Sequence, residues 1–180
     1  VTPPSMYKAD DDDPQLQLME AVASHNIKYI KSILANPMLS SRDVHAALLN
    51  ATTKGGAKLV ECLLTKATVQ SANACLVIAC KLANVDVIKA ILPKTNQSGQ
   101  VRGMVTVAGT GHTQLFSLFI SPNDKVSDRR AFDRHDVQRL IMACVAKNMH
   151  SALRKLLPLL DKPDVNLPQI CSSALTSAIV

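Results

Sequence analysis

Leu18-Met19-Glu20-Ala21-Val22-Ala23-Ser24-His25-Asn26-Ile27-Lys28-Tyr29-Ile30-Lys31-Ser32-Ile33-Leu34 is the stretch that decides the fold. Leu18, Ala21 and Val22 share one face of a helix, because apolar residues three and four apart line up. A polar pair, His25-Asn26, interrupts the pattern, and Tyr29-Ile30 with Ile33-Leu34 then sets two apolar pairs one turn apart on a second helix. The layout returns around Ala51, Ala79, Val107 and Ala143, in steps of 30, 28, 28 and 36 residues, and a sixth copy begins at Leu175-Thr176-Ser177-Ala178. Repetition at this period predicts stacked supersecondary units in place of one closed globule.

Position by position, each copy divides into two helices. The first carries Leu18/Ala21/Val22, Leu48/Ala51/Thr52, Leu76/Ala79/Cys80, Met104/Val107/Ala108 and Leu140/Ala143/Cys144. Small residues at the central position let neighbouring helices approach closely, while the second helix supplies larger side chains to fill the space between layers. Those larger pairs are Leu59-Val60 with Leu63-Leu64, Val87-Ile88 with Ile91-Leu92, and Leu115-Phe116 with Phe119-Ile120. In the fifth copy Ala152-Leu153 and Leu156-Leu157 reach these places once a residue is inserted after Asn148. His25-Asn26, Gly55-Gly56, Ala83-Asn84, Gly111-His112 and Lys147-Asn148 separate the helices. Gly and Asn tolerate the left-handed backbone that ends many helices.

The segment Gly111-His112-Thr113-Gln114-Leu115-Phe116-Ser117-Leu118-Phe119-Ile120 resembles the Gly-His-x-x-Val-Val-x-x-Leu-Leu stretch of ankyrin repeats. The pairs Ala21-Val22, Ala51-Thr52, Ala79-Cys80 and Ala143-Cys144 are similar to that family's Ala-Ala in the first helix. The resemblance spans about five copies from Asp13 onward. No copy has the family's Thr-Pro-Leu-His opening or its Gly-Ala-Asp-x-Asn tail. The expected fold is therefore all-α: an α-hairpin repeat solenoid, ankyrin-like, with reduced or absent β-hairpin fingers. A plain α-hairpin solenoid fits the same spacing. The resemblance implies a scaffold that binds another protein through the concave face lined by the first helices.

Around this array, residues 1–14 read as a flexible acidic lead-in, with Pro3-Pro4 and the run Asp10 to Asp13. Residues 15–180 read as a single repeat domain of five helix pairs plus the first helix of a sixth. Ser40-Ser41-Arg42-Asp43 is a helix-capping stretch, and Pro93 and Pro122 act as helix stops. A charged insertion at 121–136 holds Lys125, Arg129, Arg130 and Arg134 against Asp124, Asp128, Asp133 and Asp136. The sixth copy, apolar from Ala174 to Val180, is read as an open end through which a second copy can pair. The chain reads as a segment of a longer protein.

Composition bounds the function. The 180 residues are 47% hydrophobic with 3% aromatic and no Trp, which suits small packed helices. No apolar run approaches the ~20 residues a bilayer span requires. Five cysteines, an odd number scattered in apolar stretches, read as reduced core thiols in an intracellular compartment, cytoplasmic or nuclear. No Gly-rich phosphate loop, His-Glu-x-x-His or Gly-x-Ser-x-Gly occurs. Cys80 and Cys144 occupy a position filled elsewhere by Val22, Thr52 and Ala108, so it is a packing position. The chain is expected to be no enzyme, with no cofactor and no metal site.

The net charge of +6 raises nucleic acid as the alternative partner. A binding stripe needs like charges at equivalent positions, yet one column reads Lys28, Lys58, Asp86, Gln114 and the next Lys31, Glu61, Lys89, Ser117, Arg154. The alternating signs disfavour it and leave the basic residues of the 121–136 insertion, Arg129, Arg130 and Arg134, as the only such contacts. The protein-binding candidates are the outward positions of the first helices. One position before each central residue stand Glu20, Asn50, Ile78, Thr106 and Met142, and two after it come Lys81 and Val145. Ile78, Met142 and Val145 place apolar side chains where solvent is expected, as a partner's anchor needs.

Overall fold

A computed structural model describes residues 13–119 and 134–154. Every regular element among them is helical. α1 (Pro14–Ala23) and α2 (Ile27–Leu34) form the first pair, α3 (Ser41–Thr53) and α4 (Ala57–Leu64) the second, and α5 (Val69–Lys81) and α6 (Val85–Ile91) the third. α7 (Gln97–Thr110) pairs with the short α8 (Phe116–Phe119), and α9 (Arg134–Ala146) leads into helical residues 150–154. Within each of the four pairs the helices touch. Between pairs, α1 packs on α3, α3 on α5, α5 on α7 and α7 on α9, while α2 packs on α4 and α4 on α6. The lead-in up to residue 12, most of the insertion, and everything after residue 154, including Cys171 and the sixth copy, lie outside the described residues.

Local chemistry starts these helices where the sequence puts a small oxygen-bearing side chain. Asp13 accepts the Gln15 N–H at 2.9 Å with Pro14 following it, and Ser40 and Asp43 form a reciprocal capping box. Thr68, Asn84 and Asn96 accept from Ser71, Val87 and Gly99 in the same way. Each such cap contributes about 1 kcal/mol by satisfying a backbone donor that the helix itself cannot. Pro93 sits in a single tight turn, Leu92–Lys94, immediately after α6.

The turns inside the pairs share one bonding pattern. The N–H groups of Asn26, Gly56, Asn84, His112 and Met149 donate to the carbonyls of Ala21, Ala51, Ala79, Val107 and Cys144, at 2.8–3.2 Å. The preceding residue in each turn, His25, Gly55, Ala83, Gly111 or Asn148, donates to the carbonyl one residue further on and has φ between 52° and 79°. This pair of bonds around a left-handed residue is the Schellman motif. Four expectations change. Asn26 and Asn84 are not the left-handed residues; their side chains cap α2 and α6 instead. In the fifth pair the central residue is Cys144, not Ala143: Cys144 is fully buried and Ala143 only partly. With Cys144 there, Ala152 and Leu153 fall into place with no inserted residue. The last three residues of the 121–136 segment, Arg134-His135-Asp136, belong to α9.

The core is one cluster running from Leu18 in α1 to Ala152. Ala21, Ala51, Ala79, Val107 and Cys144 are at most 1% exposed. Thr52, the one hydroxyl among the neighbouring positions, is buried because it donates to Leu48 O at 2.7 Å. α7 approaches α5 closely because its Gly99 and Gly103 lie against that helix. A Cβ at Gly99 would collide with the Asn73 carboxamide, and one at Gly103 would lie 3.1 Å from Phe119 and 3.2 Å from Leu76. Asn73 also donates to Asn96 Oδ1 at 2.8 Å, tying α5 to the start of α7. Tyr29 departs from the expected core position: it is 42% exposed, while its equivalents Leu59, Val87, Leu115 and Ala152 are at most 2% exposed. No described helix lies before α1 to cover it.

Candidate functional surface

Burial of the central residues fixes the opposite side of each first helix as its exposed side. Glu20 and Lys81 are exposed there, and Asn50, Ile78 and Thr106 are half-buried, with the Thr106 hydroxyl donating to Arg102 O at 2.8 Å. Ile78 stands outside the set of side chains packed on the core cluster. Met142 and Val145 are half-buried and do pack on that cluster. Counted from Cys144, neither belongs to the column expected for it: Ala143 and Ala146 do, and Ala146 is exposed. Arg129 and Arg130 lie outside the described residues, and Arg134 opens α9.

Cys144 as the central residue also brings out a column that the sequence reasoning missed. Two positions before the central residue stand Met19, Leu49, Val77, Val105 and Met142, all apolar and all half-buried. They occupy equivalent places on α1, α3, α5, α7 and α9, so they form a ridge across the row. Counted from Ala143 the column is apolar too, with the core residue Ile141 in fifth place, and apolarity alone does not separate a half-exposed column from a buried one. Arg42, Lys81, Arg102 and Arg139 are exposed beside this ridge, and Glu20 on α1 is the acidic residue there. Asp43 turns back on its cap, accepting from Ser40 N at 3.0 Å, and Asp136 sits in the first turn of α9.

The groups capable of covalent or metal chemistry lie elsewhere and are quiet. Cys75, Cys80 and Cys144 are fully buried, and that burial pushes their thiols up to about 11, 12 and 11. Cys75 is pushed up despite an opposing hydrogen bond with Thr52. Burial also raises the Cys62 thiol, against the pull of Lys31. A protonated, buried thiol is a poor nucleophile and a poor ligand. Among the described residues no three His, Cys, Asp or Glu side chains come together as a metal set. The His25 ring meets its own turn, at Ala23 O, 3.3 Å away. His45 lies inside α3 with Nδ1 buried and unpartnered. No described helix is long and apolar enough to cross a membrane. Compared with protein-family models, characterised proteins and solved structures, the chain matches none of them.

Proposed function

We propose that the chain is a protein–protein interaction module, an ankyrin-like α-hairpin repeat stack that holds a partner protein against the exposed side of its first-helix row. The observation that carries this reading is the ridge of five half-buried apolar side chains at equivalent positions along α1, α3, α5, α7 and α9. A row of like positions on a rigid helical frame gives a partner a long, shaped contact, and half-exposed apolar side chains gain most from being covered. In this reading the chain has no catalytic task, and its free buried thiols support a home inside the cell, in cytoplasm or nucleus. Nucleic acid is the second reading. It draws on Arg129, Arg130 and Arg134, and Arg42, Lys81, Arg102 and Arg139 add positive charge on the described surface, but they flank an apolar ridge that suits a protein better than a phosphate backbone.

The test is capture from native extract by the immobilised chain and by its Ile78→Asp variant. The expected outcome is one or a few proteins retained in raised salt by the native chain and lost from the variant, whose thermal unfolding is unchanged. Equal capture by both would remove the surface from the account. Retention of nucleic acid alone, falling steeply with salt, would favour the second reading.

A further inference from the structure

The signs of the charges beside the ridge point to what covers it. From α3 onward the exposed side of the first-helix row carries Arg42, Lys81, Arg102 and Arg139, and its carboxylates, Asp43 and Asp136, stand in the first turns of α3 and α9. Glu20 gives the α1 end the opposite sign. Between the charges the surface includes small groups, Ala46, Ala74, Gly109 and Ala146. Nothing within 4 Å would meet a Cβ at Gly109, so this surface is shallow and open. It can accept a rod laid flat across it.

We infer that the occupant is an acidic amphipathic helix of another protein, laid across α3, α5, α7 and α9. Its apolar stripe covers Leu49, Val77, Ile78 and Val105, and its flanking carboxylates meet Arg42, Lys81, Arg102 and Arg139. This rests on the interaction-module reading above and gives the partner its chemistry. Size agrees: a helix of about 18 residues is about 27 Å long, and three interaxial steps of about 8–10 Å separate α3 from α9. An apolar stripe at helical spacing fits a ridge set by equivalent helix positions, as in other helix-in-groove contacts. The flanking charges set orientation and exclude wrong partners more than they add affinity. The partner's carboxylates therefore run from α3 to α9, and Glu20 on α1 lies beyond that end of the helix.

The test uses three labelled peptides of about 18 residues, roughly five helical turns. One carries a leucine stripe flanked by Glu, one has Lys in place of every Glu, and one keeps Glu but has Ser in place of every Leu. Binding to the full chain is read by fluorescence anisotropy. The Glu–Leu peptide is expected to bind at least about tenfold more tightly than either control. Arg102→Glu with Arg139→Glu reverses the preference between Glu and Lys peptides, and Val77→Ser with Ile78→Ser weakens the Glu–Leu peptide about tenfold. If the charge-reversed chain does not fold, Arg102→Gln with Arg139→Gln serves, and it is expected to shrink the preference. Equal binding of Glu and Lys peptides overturns the inference, as does equal binding of the Glu–Ser peptide. Displacement of the Glu–Leu peptide by an equal concentration of single-stranded RNA also overturns it and makes the face a nucleic-acid surface. If no peptide binds while Ile78-dependent capture of a protein persists, the acidic helix falls and the interaction module stands; if both fail, both fall.

Discussion

His25 and Gly55 occupy the same left-handed position in successive turns, with φ of 55° and 77°. A side chain there costs about 1–2 kcal/mol, because Cβ crowds the following carbonyl. His25→Gly is therefore expected to raise stability by about 1 kcal/mol, and Gly55→Ala to lower it by about 1–2 kcal/mol, in chemical denaturation. A Cβ at Gly55 would also lie 2.8 Å from Asn84 Nδ2 in the next turn, so that change has no easy accommodation. Buried thiols give a second residue-scale prediction. Folding raises Cys75, Cys80 and Cys144 from the usual 9.0 to about 11, 12 and 11, so the folded state favours the protonated form. Their contribution is complete below the unfolded value and is lost as pH rises from about 9 toward 11–12. The denaturation midpoint should fall over that window, and more gently in Cys80→Ala. An identical slope in the variant would exclude Cys80 as a source. At this scale the sequence was legible at Gly55 and Gly111, where a glycine marks the left-handed position of the turn. It was not legible at Ala143-Cys144-Val145, three small or apolar residues that can each fill a packing slot; there main-chain bonding decided.

Between elements, the α5–α7 contact depends on the absence of a side chain. Gly99 lies against Asn73, and Asn73 in turn holds the start of α7 through Asn96. Gly99→Ala is expected to destabilise by about 1–3 kcal/mol, as overpacking does, and Asn73→Ala in the same chain should restore part of the loss. Additive losses in the double variant would show that the two residues do not share a constraint. Helix existence and pairing were readable from the spacing of Leu18, Ala21 and Val22 and its echoes, because helical burial imposes that spacing directly. The close approach of α5 to α7 was not, since a glycine inside an apolar helix looks like a weak helix former until its neighbour is known. The docking ridge shows the same limit. Ile78 and Lys81 could be placed outward by phase alone, whereas Val77 and Val105 belong to the surface only once the buried side of each helix is fixed.

For the molecule as a whole, the first helices pack in order, α1 on α3, α3 on α5, α5 on α7 and α7 on α9, so local stability is expected to follow a helix's place in that order. Native-state hydrogen exchange should show the strongest protection in α3, α5 and α7, which have a described first helix on both sides, with α1 less protected. Uniform protection from α1 to α7 would mean the layers unfold as one closed body. Tyr29 illustrates why such behaviour escapes a reading by residue type. It is 42% exposed, while Leu59, Val87 and Leu115 at the same place are covered. The five turns carry a further consequence. Their shared bonds run between amides and carbonyls, and the side chains are as different as His25-Asn26, Gly55-Gly56 and Asn148-Met149. The angle between rods is thus held by the main chain, and a joint takes different side chains where its surroundings leave room, as they do at Gly111 but not at Gly55. Sequence can drift at these joints while the geometry stays put.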